Sequence, residues 1–237
     1  MKAFLLAAGL GTRLQPITNT IPKCLVPVSG KPMLAYWFDL FRKHGITEVL
    51  INLNHFPEQV KSYINNTITD LKVTLVYEEI LLGSLGTLVF NNKFVESEES
   101  FFIFYADTLT NVNLQEMLEI HRQSLKPFTI GLFHSNDPSS CGIVTLDQSG
   151  CVVDFEEKPI YPKSDLANAG IYIMNVDLLN RVKLNDQKLS DIGFDLLPQL
   201  VNQMQGYKIK DFVLDMGTHY NLALATEFVK NNPSSFD

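Results

Sequence analysis

Residues 3–33, AFLLAAGLGTRLQPITNTIPKCLVPVSGKPM, decide the fold. The stretch begins with a short apolar run, Ala3–Ala8, which predicts a buried strand. The loop Gly9–Arg13 follows, and its two glycines let the backbone turn tightly and bring its N–H groups close to a ligand. Converging N–H donors favour an anion such as a polyphosphate, and Arg13 adds a forked pair of donors. Lys23 supplies a second cation in a segment stiffened by prolines.

Two other phosphate-binding motifs do not fit this stretch. The dinucleotide fingerprint needs Gly-x-Gly-x-x-Gly or Ala, but the third position is Leu14, and Asn52 stands where an acid is expected. The mononucleotide P-loop fails because Gly30-Lys31 is followed by Pro32 and preceded at the required spacing by Leu25. An ordinary tight strand-to-helix turn would be preferred from the glycines alone, but the arginine, the Pro-Lys pair and the proline spacing favour phosphate binding.

Three segments carry a family resemblance: GLGTRLQPIT at 9–18, PKCLVPV at 22–28 and GKPM at 30–33. Together they resemble the signature of the sugar-1-phosphate nucleotidylyltransferases, which join a nucleoside triphosphate to a sugar 1-phosphate and release pyrophosphate. The resemblance covers roughly residues 1–230 and lies nearest to mannose-1-phosphate guanylyltransferases. It implies an α/β fold of the Rossmann-like, GT-A-like nucleotidyltransferase type, doubly wound, with a mostly parallel central sheet and a small antiparallel sugar-binding lid.

Composition limits the class of protein. The 237 residues are 46% hydrophobic and 19% charged, without a linker-like stretch, so we expect one domain over residues 1–237 and no C-terminal β-helix domain. A net charge of −7 gives no sign of a nucleic-acid partner. No apolar run approaches the ~18 residues of a membrane helix, and the N-terminus does not look like a signal peptide. Three cysteines, an odd number, favour free thiols and a cytoplasmic location.

Hydrophobic periodicity predicts strands alternating with helices. The early elements are a helix within Lys31–His44, a strand at Glu48–Leu53, a helix at Pro57–Ile64 and a strand at Lys72–Tyr77. The later elements are a strand at 101–106, a helix at 114–124, a strand at 128–133, a hairpin of 142–146 with 151–155, a helix at 191–204, a strand at 207–214 and a helix at 220–230. Alternation of this kind predicts parallel βαβ units, whose ligands gather at the carboxyl ends of the strands.

An acid follows the most apolar strand. Asp107 comes directly after Phe101–Ala106, and a buried charge is costly unless a partner such as a divalent cation is present. The alternative is that Asp107 caps the next turn. The resemblance favours a metal, because it implies that Asp107 and Asp215, the latter in an Asp-x-Gly-Thr segment, bind Mg²⁺.

The resemblance also assigns the nucleotide-binding residues. It places the segment Leu82–Gly86 against the base, whereas the residues alone favour a loop and a helix start with Ser84 as N-cap. It implies Arg13, Lys23 and Asp107 as catalytic residues. The nucleotide-binding positions are Leu6, Ala7, Ala8, Gly9, Gly11, Thr12, Arg13, Lys23, Gly83, Leu85 and Gly86.

A second group of residues resembles the family's sugar-phosphate site. In Phe155-Glu156-Glu157-Lys158-Pro159 the resemblance implies that Glu157 accepts from sugar hydroxyls and that Lys158 pairs with the phosphate. A solvated charge pair is the alternative. The resemblance adds Asn168, Gly170 and Gly142 to this site, although Gly170 is also typical of a strand bulge.

The expected activity is transfer of a nucleoside monophosphate from an NTP to a sugar 1-phosphate, as in nucleotide-sugar biosynthesis for cell-surface polysaccharides. GTP with mannose- or heptose-1-phosphate is favoured, and UTP- or dTTP-dependent transfer is the alternative. A cytidylyltransferase for a non-sugar phosphate and a non-catalytic nucleotide-sugar sensor are further alternatives. The expected partners are small-molecule substrates, without nucleic acid or membrane, and a homo-oligomer is compatible with the sequence.

Overall fold

The computed structural model describes residues 1–68, 70–183 and 190–236. Its strands are β1 (Lys2–Leu6), β2 (Pro27–Val28), β3 (Lys31–Pro32), β4 (Glu48–Leu53), β5 (Lys72–Tyr77), β6 (Ser100–Tyr105), β7 (Thr108–Thr110), β8 (Phe128–His134), β9 (Gly142–Leu146), β10 (Val152–Glu157), β11 (Leu166–Asn175), β12 (Met204–Lys208) and β13 (Val213–Asp215). Its α-helices are α1 (Met33–Lys43), α2 (Pro57–Thr67), α3 (Gly83–Phe90), α4 (Leu114–Ser124), α5 (Val176–Arg181) and α6 (His219–Asn231).

The chain forms two compact units. The first contains Met1–Leu81, Phe104–Val112 and Asp211–Asp237, and the second contains Leu82–Ile103 and Asn113–Lys210. The second unit is therefore inserted into the first in sequence. The expectation that residues 1–237 form one domain stays a prediction.

Parallel strands form the centre of the first unit. β1 pairs in parallel with β4, and β4 pairs in parallel with β5. The end of β6 lies beside β1, since the Ala106 N–H donates to the Leu6 carbonyl at 3.0 Å. The carboxyl ends of β1 and β6 therefore lie side by side and point the loops that follow them toward the same edge.

Helix α1 packs its apolar face into the core of the first unit, as its periodicity predicts. The Trp37 ring lies 4.8 Å from the ring of Phe104, centroid to centroid, and its Nε1–H donates to the Ala106 carbonyl at 3.3 Å. Burial of large aromatic rings contributes a substantial part of core stability. The core aromatics therefore hold the backbone just before Asp107 in place.

The second unit is mostly antiparallel. β9 and β10 form the predicted hairpin, and the long strand β11 pairs antiparallel with both β8 and β9. β12 pairs in parallel with β8. The antiparallel part is therefore larger than the hairpin alone, because β8 and β11 also belong to it.

Two of the secondary-structure elements predicted from the sequence are wrong. The predicted helix at 191–204 is instead a π-type turn, Ile192–Leu196, followed by a 3₁₀ turn, Leu197–Leu200. Pro198 has no N–H to donate and its ring clashes with the preceding turn, so a regular helix cannot continue through it. The predicted strand at 207–214 divides into β12 and β13, because β12 pairs with β8 while β13 pairs with β7.

Across the described part of the chain, none of the helices is both long and apolar enough to cross a bilayer.

Asn52 provides a test of how the core supports the first loop. Its buried side chain accepts from the Ala7 N–H at 2.8 Å and donates to Glu78 Oε1 at 3.0 Å. Asn52→Leu removes both bonds, so we expect it to lower the free energy of unfolding by about 1–3 kcal/mol in urea denaturation. Asn66→Leu, on the exposed side of α2, is the matched control and should change it by about 0.5 kcal/mol or less. Equal effects of the two substitutions would contradict this role for Asn52.

Candidate active site

The loop Gly9–Arg13 follows β1 and is mostly exposed. Gly11 has a φ of +66°, and a Cβ there would lie 2.8 Å from Thr18 Cγ2. Glycine is therefore required at this position for both conformation and space. Thr18 Oγ1 donates to the Gly11 carbonyl at 2.8 Å, and this hydrogen bond holds the loop against the segment that contains Thr18.

A second layer supports the loop. His55 Nε2 lies 2.9 Å from the Thr18 carbonyl oxygen, so this histidine has a structural role in supporting the loop. Leu6 and Ala8, which the sequence places in the nucleotide site, are almost fully buried. Their side chains belong to the core, so only their backbone groups can meet a ligand.

Lys23 and Asp107 form an ion pair. Lys23 Nζ lies 2.5 Å from Asp107 Oδ2, and the side chains are 11% and 31% exposed, respectively. A partly buried pair of this kind loses strength slowly in salt, because solvent screens it less than a surface pair. The structure thus pairs Lys23, from the segment 22–28, with Asp107, the acid that follows β6.

The two aspartates expected to bind metal are neighbours. Asp215 is opposite Thr108 in the antiparallel pairing of β13 with β7, and the Met216 N–H donates to the Asp107 carbonyl at 2.7 Å. Partial burial of the Asp215 carboxyl raises its pKa, and the nearby Asp107 raises it further, while Lys23 lowers it. The residue as a whole stays exposed.

Arg13 approaches the same carboxylate. A Cβ at Gly217 would lie 2.4 Å from Asp215 Oδ1 and 2.5 Å from Arg13 Nη2. Gly217 therefore leaves the space that both side chains occupy, and its N–H donates to Asp215 Oδ1 at 2.6 Å. Gly217 is not among the site residues predicted from the sequence, although its place in Asp-x-Gly-Thr was the available signal.

The residues of the first unit fit a hard divalent cation. Within the described ranges, no group of three or more His, Cys, Asp or Glu side chains could hold a metal, so Asp107 and Asp215 stand as a pair. Mg²⁺ is commonly held by one or two carboxylates and completed by water and substrate phosphates. The raised pKa of Asp215 fits this reading, because a cation would relieve the repulsion between the two acids.

In the second unit the segment Gly83–Gly86 lies directly against Ser190. The Leu85 and Gly86 N–H groups donate to the Ser190 carbonyl at 2.9 and 3.3 Å. Gly83 has a φ of +79°, and a Cβ there would lie 2.4 Å from the same carbonyl oxygen. Leu85 is 3% exposed, so its side chain is in the core and cannot contact a base directly.

The N-cap alternative for Ser84 is wrong. Helix α3 begins at Gly83, and Leu82 occupies the cap position. Ser84 Oγ instead donates to Asp191 Oδ2 at 2.8 Å. The hydrogen bond between Ser84 and Asp191 is not among the contacts predicted from the sequence.

Glu157 lies in a narrow space at the end of β10. A Cβ at Gly142 would lie 2.6 Å from its Oε2, and a Cβ at Gly193 would lie 2.7 Å from the same atom. This Oε2 is buried, and none of the described residues donates a hydrogen bond to it. Burial raises the pKa of Glu157, Asp191 raises it further, and Lys158 lowers it. A buried acceptor without a donor fits a ligand that carries hydroxyl groups.

Lys158 directly follows β10 and has an exposed side chain. Its Nζ lies 4.0 Å from Glu157 Oε1 and 5.5 Å from the centre of the Phe194 ring. Phe194 is 57% exposed, which is unusual for a large aromatic side chain. Lys158 is thus held beside an acid and an aromatic face with its ammonium still accessible to an anion.

Asn168 and Gly170 form the expected bulge in β11. Gly170 has a φ of +70°, and the register with β8 shifts between Asn168 and Tyr172. Asn168 Oδ1 accepts from the Gly170 N–H at 3.0 Å, and its Nδ2 donates to Tyr172 Oη at 2.7 Å. The amide therefore already serves the bulge, and one N–H and one lone pair remain for a ligand.

The family model described as nucleotidyl transferase matches residues 2–232. The chain belongs to the nucleotidyl transferase family. It is 34% identical over 199 residues to mannose-1-phosphate guanylyltransferase 1 of Arabidopsis thaliana, which covers 82% of this chain and 55% of that protein. It is 31% identical over 220 residues to the UTP--glucose-1-phosphate uridylyltransferase of Synechocystis sp., with 85% and 55% covered. The chain thus spans about half the length of these two curated relatives.

Solved structures show the same fold. A putative glucose-1-phosphate thymidylyltransferase from Bacillus anthracis matches with a TM-score of 0.85 at 22% identity, covering 98% of this chain and 96% of that one. HddC from Yersinia pseudotuberculosis complexed with GMP-PN matches with a TM-score of 0.80 at 23% identity, covering 96% and 98%. The α/β class with a mostly parallel central sheet and the family predicted from the N-terminal stretch are confirmed.

Glu157 should make the fold less stable as the pH rises. Folding raises the pKa of Glu157 above its ordinary value of 4.5. The stability that comes from the protonated carboxyl is therefore fully present below pH 4.5 and is lost as the pH rises through the raised pKa. Glu157→Gln does not titrate, so we expect it to exceed the wild type in urea midpoint at neutral pH and to lose that advantage near about pH 4. Glu156→Gln, exposed on the same strand, is the control. A pH-independent difference for Glu157→Gln would contradict the assignment.

Proposed function

We propose that this protein transfers a nucleoside monophosphate from an NTP to a sugar 1-phosphate. The observation that carries the proposal is the grouping of Arg13, Lys23, Asp107 and Asp215 next to the loop after β1. Two cations and two acids grouped together are suited to a polyphosphate and a divalent metal. An uncharged ligand would not require this arrangement.

Charge stabilisation and positioning are enough for this reaction. A phosphate monoester has its second pKa near ~6, so the attacking oxygen is already deprotonated at neutral pH and needs no general base. Arg13, with the Gly9–Thr12 amides, would hold the departing pyrophosphate. Lys23 would neutralise charge near the α-phosphate while Asp107 keeps its ammonium in place. In-line attack would then follow from orientation, as is usual for transfer of a phosphoryl or nucleotidyl group.

Asp107 and Asp215 are the residues that would hold Mg²⁺. When bound, the ion would supply positive charge that reduces repulsion between two anionic substrates. Without it, the two carboxylates would oppose the approach of phosphate, which is why a metal fits this pair of residues.

The second unit supplies groups suited to a sugar 1-phosphate. Glu157 offers a buried acceptor for a hydroxyl, and Lys158 offers an accessible ammonium for the phosphate. Gly142 and Gly193 allow the close approach, and Asn168 with Gly170 shapes the neighbouring strand. The segment Gly83–Gly86 would contact the base.

GTP with mannose- or heptose-1-phosphate is the favoured substrate pair. Relatives of about 30% identity named mannose-1-phosphate guanylyltransferase support GTP, and the relative named UTP--glucose-1-phosphate uridylyltransferase supports UTP as the alternative. A dTTP-dependent transferase is a further alternative. The product would serve cell-surface polysaccharide biosynthesis in the cytoplasm, and a homo-oligomer is compatible with the proposal.

Two other functions fit less well. A cytidylyltransferase for a non-sugar phosphate such as phosphocholine would use an aromatic and acidic cage, and it would not explain the Glu157 and Lys158 pair. A non-catalytic nucleotide-sugar sensor would be expected to lose at least one of Arg13, Lys23, Asp107 and Asp215, and this chain keeps all four.

Arg13→Ala should lower the rate of the chemical step by a factor of about 100 or more, because loss of one charge partner of the transition state has that effect. Single-turnover assays of pyrophosphate release would measure it. Arg42→Ala removes an exposed guanidinium that pairs with Asp39 and Asp70 in the same unit, and it should leave turnover nearly unchanged. Unchanged turnover in Arg13→Ala would refute the proposed role of Arg13.

An array of NTPs against several sugar 1-phosphates, with Mg²⁺ or with a chelator, tests the reaction itself. We expect pyrophosphate release with at least one pair, strongest with GTP, and its loss in chelator. Asp107→Asn and Asp215→Asn should each raise the Mg²⁺ concentration needed for half-maximal rate by about tenfold or more, since each removes a carboxylate ligand. Full activity in chelator would exclude the metal role, and release with no pair would exclude the transferase.

A further inference from the structure

One carboxylate joins two segments of the second unit that the proposed function assigns to different substrates. Asp191 Oδ2 accepts from Ser84 Oγ at 2.8 Å. Asp191 Oδ1 accepts from the backbone N–H groups of Gly193 and Phe194 at 2.8 and 3.2 Å. Ser84 Oγ in turn accepts from the Ile192 N–H at 2.8 Å. The base segment and the turn beside Glu157 therefore share one acid.

Capping alone does not explain this geometry. An N-cap needs one side-chain oxygen to accept from the first turn, and Asp191 Oδ1 already does so. Its second oxygen bonds to Ser84, which lies 107 positions away in sequence. A bond between an alcohol and an ionised carboxylate is stronger than one between neutral groups, so the two segments are held firmly together.

The turn that Asp191 holds forms part of the Glu157 pocket. Gly193 is the second residue of that turn, and its missing Cβ leaves the space that Glu157 Oε2 occupies. A shift of the turn by a few tenths of an ångström would therefore move the wall around this carboxylate. Asp191 acts on Glu157 through the position of Gly193 and through the repulsion between the two carboxylates.

The base segment cannot easily move independently of this turn. The Leu85 and Gly86 N–H groups both donate to the Ser190 carbonyl, and Gly83 packs against that carbonyl without room for a Cβ. Backbone bonds on one side and the Ser84–Asp191 bond on the other fix the segment at two points. A displacement at one side is thus transmitted to the other.

We propose that Asp191 is a positioning residue that fixes the Glu157 pocket and the Gly83–Gly86 segment relative to each other, and thereby sets the affinity for both substrates. This inference rests on the proposed function for the identity of the substrates. Asp191 and Ser84 belong neither to the N-terminal signature nor to the Glu-Lys-Pro motif.

The electrostatics give this role a distinct signature. The charged groups that act on Glu157 are Lys158, next to it in the chain, and Asp191 in the facing turn. Loss of the Asp191 charge should lower the pKa of Glu157, because like-charge repulsion raises it. A role limited to holding the turn would not predict this change.

Steady-state kinetics of Asp191→Asn, Ser84→Ala and their double variant test the positioning. We expect Asp191→Asn to raise KM for the sugar 1-phosphate about tenfold and to raise KM for the NTP as well, with a smaller change in kcat, since the amide nitrogen cannot accept the Ser84 bond that the charged Oδ2 accepts. Ser84→Ala should raise the same two KM values. The double variant should be less than additive, because both changes break one connection.

Asp195→Asn is the matched control, because it makes the same charge change in the same turn. Asp195 Oδ2 accepts from the Asp191 N–H at 2.7 Å, and an asparagine oxygen can still do so. Both KM values should stay within about twofold of the wild type. If the KM values of Asp191→Asn were indistinguishable from those of Asp195→Asn, the proposal would be overturned.

A substrate-free measurement separates this inference from the proposed function. The titration of Glu157, followed by ¹³C NMR of glutamate-labelled protein and assigned with Glu157→Gln, should shift to lower pH in Asp191→Asn and not in Asp195→Asn. Should the wild type transfer no nucleotide to any sugar 1-phosphate, the proposed function fails, and this titration still decides whether Asp191 acts on Glu157. An unshifted Glu157 titration in a folded Asp191→Asn would overturn the positioning role.

Discussion

The Lys23–Asp107 ion pair is the contact on which the candidate site of the first unit depends. Asp107 and Asp215 are neighbours because β7 pairs with β13, and their two carboxylates repel each other. Lys23 lowers that cost, and its own largely buried ammonium needs the carboxylate in return. Arg13 adds a further positive charge at Gly217. The local charges thus form one interdependent set, suited to a ligand that carries several negative charges.

The second unit solves a different electrostatic problem. Glu157 keeps a buried oxygen without a donor among the described residues, which raises its pKa and opposes folding at neutral pH. Such a group persists where function requires it, because a better-satisfied residue would be more stable. Glycines at 142 and 193 and the acid at 191 surround it. A hydroxyl-bearing ligand would supply the donor that this oxygen lacks.

Local patterns in the sequence predicted much of the fold. The strands Glu48–Leu53 and Lys72–Tyr77 and the helix Leu114–Ser124 are observed at the predicted bounds, since periodicity and caps are local properties. The helix predicted at 191–204 failed because the apolar spacing concealed the effect of Pro198. Arg13, Lys23, Asp107 and Asp215 were singled out through motifs. The Ser84–Asp191 bond joins positions 107 residues apart, and no local signal marks it.

The inserted arrangement of the two units has a consequence for vectorial synthesis. Arg13 is made early, whereas Asp215 and Gly217 belong to the last segment of the first unit. During translation, Arg13 and Lys23 are therefore made before Asp215 and Gly217, and the segments Leu82–Ile103 and Asn113–Lys210 are made in between. The inserted unit also depends on late residues, since Ser84 bonds to Asp191, 107 positions later. On the ribosome, each unit can therefore complete its candidate site only after its last segment has emerged.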